Sequence, residues 1–216
     1  MSKPSFSFYI SLLLMFMLVA PVVGQTRVGK LGVGVDGSMQ YIYGAGAVKA
    51  SPGFGGGVNM SLSLMEGLSL RSKFAVNQLS WENDSKKSIT TDFMSFNGYL
   101  SIDLMPNGSF NVFPFGGGGL VFYDPKEEAT GGRHSGSSSF DINYGGGLGF
   151  DYFPNEFWSV TLLPEYVITN SRYYNGPANT DNDSYIRVSL QFRYYFFDQS
   201  FITNLLEAHR ARLKHK

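Results

Sequence analysis

Apolar and polar side chains alternate with a period of two through much of the chain after Arg27. The clearest example runs from Tyr185 to Phe196. One face of this segment carries Ile186, Val188, Leu190, Phe192, Tyr194 and Phe196. The other face carries Tyr185, Arg187, Ser189, Gln191, Arg193 and Tyr195. Successive side chains of a strand point to opposite sides, so the pattern predicts a strand with one apolar and one polar face.

Eight segments of this kind are long enough to cross a bilayer as tilted strands of about 9 to 11 residues. The same split occurs around Val33 and Val35 and again around Val58 and Met60. Alternation alone would also fit a soluble antiparallel sheet with one face in water. The connections and the charges decide between these two interpretations.

The connections between the segments alternate in length. The short turns are Met65 to Leu68, Pro106 to Gly108 and Pro154 to Glu156. The long polar connections are Tyr43 to Pro52, Glu82 to Thr90, Asp124 to Ser138 and Ser171 to Asp183. Outer-membrane barrels have short periplasmic turns and long extracellular loops. A soluble eight-stranded meander such as a lipocalin has no reason to sort its loops in this way.

Charged residues fall on the more polar face of the segments. They are Lys30, Asp36, Arg71, Lys73, Asp103, Asp141, Asp151, Glu165, Arg187 and Arg193. A soluble barrel buries apolar side chains, whereas a membrane barrel has a polar interior. Eight strands enclose a lumen that side chains can fill, so these charges are predicted to form a paired polar network. Hairpin register makes Arg187 the expected partner of Glu165.

Aromatic residues cluster near the predicted strand ends. They include Tyr41, Tyr43, Phe110, Phe122, Tyr123, Tyr152, Phe153, Phe157, Trp158 and Tyr194 to Phe197. Interfacial girdles would place aromatics there, although strands are enriched in aromatics in any case. The predicted fold is therefore an all-β, eight-stranded antiparallel up-and-down transmembrane barrel with a short C-terminal helical tail.

The first residues predict a secretory signal peptide. Lys3 precedes an apolar run from Phe8 to Ala20, and small residues follow up to Gly24. The run is shorter than the roughly 20 residues of a spanning helix, which would be the rival interpretation. The expected organisation is a signal peptide at 1–24, a barrel at 25–197 and a periplasmic tail at 198–216.

Several segments resemble the small outer-membrane barrels similar to the transmembrane domain of outer-membrane protein A. Phe113 to Phe115 followed by Gly116 to Gly119 is similar to that family's proline-aromatic-glycine strand. Tyr144 to Gly149 followed by Asp151 and Tyr152 resembles its glycine-rich next strand. Pro164 to Tyr166 and Ser184 to Phe196 resemble its seventh strand, with an inward acidic residue, and its closing strand. The resemblance implies an outer-membrane barrel.

The chain departs from that family after its final aromatic residues. Asp198 to Lys216 is too short for a peptidoglycan-binding domain and predicts a capped amphipathic helix with a basic end. Such a tail could lie on the inner leaflet or contact a partner. A frayed, solvated tail is the alternative.

Catalytic and ligand-binding motifs are weak. Gly32 to Gly37 spells a dinucleotide fingerprint, but strand pattern follows it where a helix is required. His134 lies near Ser135 in a loop too rich in glycine and serine to favour a fixed triad. Asp181 to Asp183 lacks the glycine and glutamate of a calcium loop.

The composition excludes further kinds of chemistry. The chain has no cysteine and zero formal charge, which excludes thiolate chemistry and disfavours nucleic-acid binding. We expect neither cofactor nor metal.

The leading hypothesis is a non-enzymatic barrel in the cell outer membrane, with extracellular long loops and periplasmic termini. It would anchor in the lipid, display its loops and contribute to envelope integrity or recognition. A narrow, porin-like solute pore and a lipid A-modifying surface enzyme are the alternatives. The expected partners are outer-membrane lipid, the outer-membrane assembly machinery through the last strand, an unidentified loop ligand and a possible partner for the tail.

Overall fold

A computed structural model describes residues 29–43, 49–82, 88–127, 140–170 and 183–197. These ranges form nine strand segments. They are β1 (Leu31–Tyr43), β2 (Lys49–Ser51), β3 (Gly53–Met65), β4 (Leu68–Glu82), β5 (Ser88–Ile102), β6 (Phe110–Glu127), β7 (Phe140–Tyr152), β8 (Trp158–Thr169) and β9 (Ser184–Phe197). The predicted signal peptide at 1–24 and the tail at 198–216 lie outside the described residues.

The strands form a closed antiparallel barrel. From β3 onward, each strand pairs with the next along the chain, and β1 closes the ring by pairing with both β3 and β9. β2 and β3 both pair with β4 and are separated by Pro52, whose missing N–H interrupts the ladder. They make up one strand of the wall, so the wall has eight. The predicted eight-stranded antiparallel barrel is confirmed.

Tight turns close one end of the barrel, and the other end carries the longer connections. Between β3 and β4 the chain reverses at Glu66 and Gly67, and Gly67 has a φ of 78°, a conformation that glycine adopts without strain. At the opposite end the strands extend further than predicted. β2 lies within the expected Tyr43 to Pro52 loop, and β6 continues to Glu127 with a length of 18 residues. β6 is therefore longer than a tilted bilayer crossing requires.

The outer face of the barrel is apolar. Side chains such as Phe54, Val35 and Leu100 are more than half exposed there, and the same pattern recurs on every wall strand. This is the reverse of a water-soluble protein, which buries such residues. The outer face becomes polar near the long-connection end, where Gln78 donates a hydrogen bond to Asp92. Among the described residues, no helix is long and apolar enough to cross a membrane.

Glycines on the inner wall make room for large side chains of neighbouring strands. The Phe113 ring of β6 occupies the place where a Cβ on Gly149 of β7 would stand. The aliphatic part of Arg193 likewise lies over Gly34, and the ring of Tyr195 lies over Gly32. A narrow barrel crowds its interior, so glycines at these positions let bulky side chains fit.

Not all of the strand-end aromatics belong to an outer girdle. Phe157, Trp158, Tyr194 and Phe196 do cluster on the outside near the tight-turn end. Tyr123, Phe153 and Tyr195 instead point inward and are buried. Tyr195 lies on the inner, polar face as the alternation of the last strand predicts. The girdle interpretation was wrong for Tyr123 and Phe153, because proximity to a strand end does not determine the face, which follows from the alternation.

Candidate functional site in the barrel lumen

The centre of the lumen is occupied by a buried cluster of Glu165, Arg187 and Tyr99. Glu165 on β8 and Arg187 on β9 lie directly opposite each other in the ladder. Arg187 donates to Glu165 Oε2 from Nε at 2.9 Å and from Nη2 at 2.7 Å. The Tyr99 hydroxyl donates to Glu165 Oε1 at 2.5 Å and accepts from Arg187 Nη2 at 3.2 Å. Both oxygens of the carboxylate therefore have partners.

The bond from Tyr99 to Glu165 joins strands that are not neighbours. Tyr99 is on β5 and Glu165 on β8, with β6 and β7 between them. These two strands present Gly117 and Gly145 toward the lumen at this level, and a Cβ on Gly145 would stand 2.6 Å from Glu165 Oε1. Because no side chain rises from the wall there, the tyrosine and the carboxylate can meet across it.

A second buried ion pair joins Lys73 on β4 to Asp36 on β1. Lys73 Nζ lies 2.9 Å from Asp36 Oδ2 and donates to Ser189 Oγ of β9 at 2.6 Å. Both charged side chains are almost fully enclosed. Buried charges are stabilised by an opposite charge and by hydrogen bonds. Lys73 and Asp36 supply each other's counter-charge, and Ser189 supplies a hydrogen bond to Lys73.

Toward the tight-turn end, Arg71 connects β4 to a carboxylate on β7 and to one directly after the end of β5. Its Nη2 lies 2.8 Å from Asp151 Oδ2 and 3.3 Å from Asp103 Oδ1. Its guanidinium carbon lies 3.6 Å from the centre of the Phe113 ring, where cation–π attraction adds to the ion pairs. Asn111 also donates to Asp103, at 2.8 Å. These contacts link β4, β5, β6 and β7.

Arg193 on β9 extends this group to the other side of the lumen. Its Nη1 lies 3.6 Å from Asp151 Oδ1, and its Nε donates to Asn59 Oδ1 at 2.6 Å. It also donates to Gln191. Asp151 in turn accepts a hydrogen bond from Thr161. Asp151 therefore lies between two arginines, and each of them is paired with a different carboxylate oxygen.

The structure brings eight of the ten sequence-predicted residues into these clusters and leaves two at the rims. Lys30 pairs with Glu156 at 3.7 Å near the tight-turn end, where the Glu156 side chain is 57% exposed. Asp141 lies near the long-connection end and accepts from the backbone N–H of Ile142. Both share the inward alternation, but they lie at strand ends, where each is only partly buried.

Several lumen contacts were not predicted from the sequence. Tyr99, Ser189, Asn59 and Phe113 all bind or pack against the charged residues. Each shares the alternation of a predicted charge on its own or an adjacent strand. The alternation predicts that these side chains face the lumen, but it does not show which residues on distant strands contact each other across the barrel.

An apolar layer lies inside the lumen near the long-connection end. The sequence predicted a polar interior and did not predict this layer. Its buried members are Ile42, Leu79, Phe93, Val121, Tyr123, Val167 and Tyr185. They come from six of the wall strands and together cross the lumen. At the tight-turn end, the rings of Phe153 and Tyr195 pack 5.8 Å apart. The polar clusters therefore lie on the tight-turn side of the apolar layer.

The charges within these clusters balance. Their cations are Arg71, Lys73, Arg187 and Arg193, and their anions are Asp36, Asp103, Asp151 and Glu165. Asp183, before β9, is a further buried carboxylate near the long-connection end. The described part of the chain holds no group of three or more side chains suited to a metal ion. His134, the weak catalytic candidate, and Asp181 and Asn182 of the weak calcium candidate lie outside the described residues, whereas Asp183 is described and is buried directly before β9. The glycines of Gly32 to Gly37 belong to β1, with no helix after them.

The sequence profile of a family described as the outer membrane protein beta-barrel domain matches residues 10–196. The chain belongs to this family. The outer-membrane barrel that the alternation predicted is therefore confirmed, and its apolar exterior faces lipid.

Solved outer-membrane barrels have the same fold. Ail, the attachment invasion locus protein of Yersinia pestis, has 11% identity and a TM-score of 0.51, and the match covers 78% of this chain and 99% of Ail. Neisserial surface protein A has 16% identity and a TM-score of 0.51, covering 77% of this chain and 97% of that protein. No curated protein matches the sequence. At these identities the likeness is one of fold.

Proposed function

We propose that this outer-membrane barrel is a closed, non-enzymatic anchor that displays its long connections outside the cell. The observation that supports this proposal is that side chains fill the lumen. Its largest enclosed side chains include Arg187, Arg193, Tyr185 and Lys73, and its buried charges are paired. A lumen packed in this way serves as a polar core and leaves the connections as the surface available for recognition or envelope contacts.

In this proposal the long connections face outward and both termini face the periplasm. The tight turns at one end and the extension of β6 beyond a bilayer crossing at the other support this orientation. β9, with its outward aromatic residues Tyr194 and Phe196, is the strand that the assembly machinery would engage. We also propose that the tail at 198–216 binds a partner in the periplasm.

Single-channel recording of the refolded chain in a planar bilayer tests the closed lumen. We expect little or no conductance from the wild type. A steady, well-resolved conductance that Glu165→Gln leaves unchanged would favour a solute pore instead. Incubation of the same preparation with labelled lipid A tests the absence of enzyme activity, because a modified lipid product would overturn the non-enzymatic proposal.

The absence of cysteine allows a clean test of orientation. Asn107→Cys places a thiol in the tight turn before β6, and Asn175→Cys places one in the connection before β9. In intact cells, a membrane-impermeant maleimide should label Asn175→Cys and not Asn107→Cys. After the outer membrane is permeabilised, both should react. The opposite result in intact cells would reverse the orientation.

A further inference from the structure

Two buried asparagines face the lumen beside one glycine. Asn97 on β5 and Asn143 on β7 are both opposite Gly119 of β6 in the ladders, one on each side. Each asparagine is 1% exposed. Within the described residues, neither amide has a hydrogen-bond partner for its Oδ1 or its Nδ2. Four polar atoms are thus enclosed together without partners.

Such a group is unfavourable if it stays unsatisfied, because a buried amide has lost its hydrogen bonds to water and gained none from the protein. The two asparagines stand two strand spacings apart, roughly 9.6 Å along the wall. Gly119 contributes no side chain between them, and the Asn97 amide leans over this glycine. A direct hydrogen bond between the two amides is absent, so all four of their polar atoms are left without a partner beside Gly119.

We propose that the lumen contains a bound-water site between Asn97 and Asn143, over Gly119. The chemistry of the donor set points to water. Two Nδ2 groups donate and two Oδ1 atoms accept, whereas a cation would need acceptors alone and an anion donors alone. The two central ion pairs, Lys73 with Asp36 and Arg187 with Glu165, are each composed of one cation and one anion. A buried water typically makes about three hydrogen bonds, which this site can supply.

The site is separated from the long-connection end by the apolar layer that includes Leu79, Phe93 and Val121. Val121 is on the same strand as Gly119, one inward position closer to that end. Water at the site is therefore enclosed by the protein and is distinct from a continuous aqueous path. This inference concerns a structural water site and holds independently of the role of the loops.

Water-edited solid-state NMR of the full chain in lipid bilayers tests the site. At short mixing times, magnetisation from water should reach the side-chain NH₂ groups of Asn97 and Asn143. Asn111 is the matched control in the same lumen. It is fully buried, but its amide donates to Asp103 and accepts from the Met105 N–H at 3.0 Å. Its side-chain signal should receive no transfer at the same mixing time.

A variant adds a second measurement. Asn143→Leu keeps the branched shape of the side chain and removes two of the four polar atoms, so the water signal at Asn97 should be lost or strongly reduced. If the variant does not fold, the wild-type spectrum still decides. Direct contact between the two amides without water transfer would overturn the inference. Equal transfer to Asn97, Asn143 and Asn111 would also overturn a discrete site, and together with steady conductance it would overturn the closed lumen as well.

Discussion

Glu165 and Arg187 face each other across the β8–β9 ladder, and two nitrogens of the guanidinium donate to one oxygen of the carboxylate. The Tyr99 hydroxyl occupies the other oxygen. This three-residue arrangement satisfies a fully buried ion pair at the middle of the barrel. It also means that neutralising one member leaves its partner charged and enclosed, which is the basis of the first prediction.

Glu165→Gln should destabilise the barrel by about 3 to 5 kcal/mol, the usual cost of leaving a buried charge without its counter-charge. Urea unfolding in lipid vesicles measures this change. Glu156→Gln is the control, because it breaks the ion pair with Lys30 at a largely exposed rim position and should cost about 0 to 1 kcal/mol. Similar costs for the two variants would mean that the central pair contributes no more than a surface pair.

The two faces of β9 should respond differently to an added cation. Leu190 faces lipid, and Leu190→Arg should cost about 2 to 4 kcal/mol, the penalty near the bilayer midplane. Ser189 faces the lumen and accepts a hydrogen bond from Lys73, so Ser189→Arg places two cations together. Both variants are measured by urea unfolding in lipid vesicles.

A second substitution distinguishes the two mechanisms. Lys73→Ser removes the native lumen cation, so it should recover much of the stability lost in Ser189→Arg, because the new arginine can replace Lys73 beside Asp36. The same change should add to the cost of Leu190→Arg. If Lys73→Ser affects both backgrounds alike, the assignment of the two faces is wrong.

The sequence predicted the wall better than the interior. A period of two determines the face of each strand residue, and hairpin register brings Glu165 to Arg187. The contact of Arg71 with Asp151 could not be predicted in this way, since β5 and β6 lie between their strands. It depends on how the barrel closes and on which side chains leave space. The apolar layer could not be predicted from the alternation, because Leu79 and Val167 occupy inward positions on the same strands as Arg71, Lys73 and Glu165, and the alternation does not distinguish apolar from polar levels of the lumen.

The inner glycines should be far less tolerant of substitution than outward ones. Gly117 faces the lumen, and a Cβ there would collide with the carbonyl oxygen of Gly98 on the adjacent strand. Gly117→Ala should therefore cost about 1 to 3 kcal/mol, as overpacking does. A Cβ on Gly98 would meet nothing within 4 Å, so Gly98→Ala should stay within about 0.5 kcal/mol of the wild type. Thermal or urea unfolding compares them, and equal costs would contradict the crowding argument.

The apolar layer provides a second closure of the lumen, independent of the central ion pair. Leu79 and Phe93 lie in this layer on adjacent strands and are almost fully buried. Replacing both by alanine removes side-chain volume from the layer but leaves Glu165 and Arg187 paired. Glu165→Gln alone removes the pair but leaves the layer intact. Each variant should therefore conduct little in a planar bilayer, because one closure remains.

The combination of Leu79→Ala, Phe93→Ala and Glu165→Gln should conduct more than the sum of the two separate variants, because ions need both regions open at once. Large-to-small core changes cost about 2 to 5 kcal/mol each, so circular dichroism and heat-modified electrophoretic mobility must first show a folded barrel. If the triple variant does not fold, Leu79→Ala with Glu165→Gln provides the same comparison.

Three outcomes would contradict two independent closures. Strong conductance from Glu165→Gln alone would show that the ion pair is the sole closure. Strong conductance from the alanine changes alone would assign the closure to the apolar layer, and a silent triple variant would show that neither region controls the path.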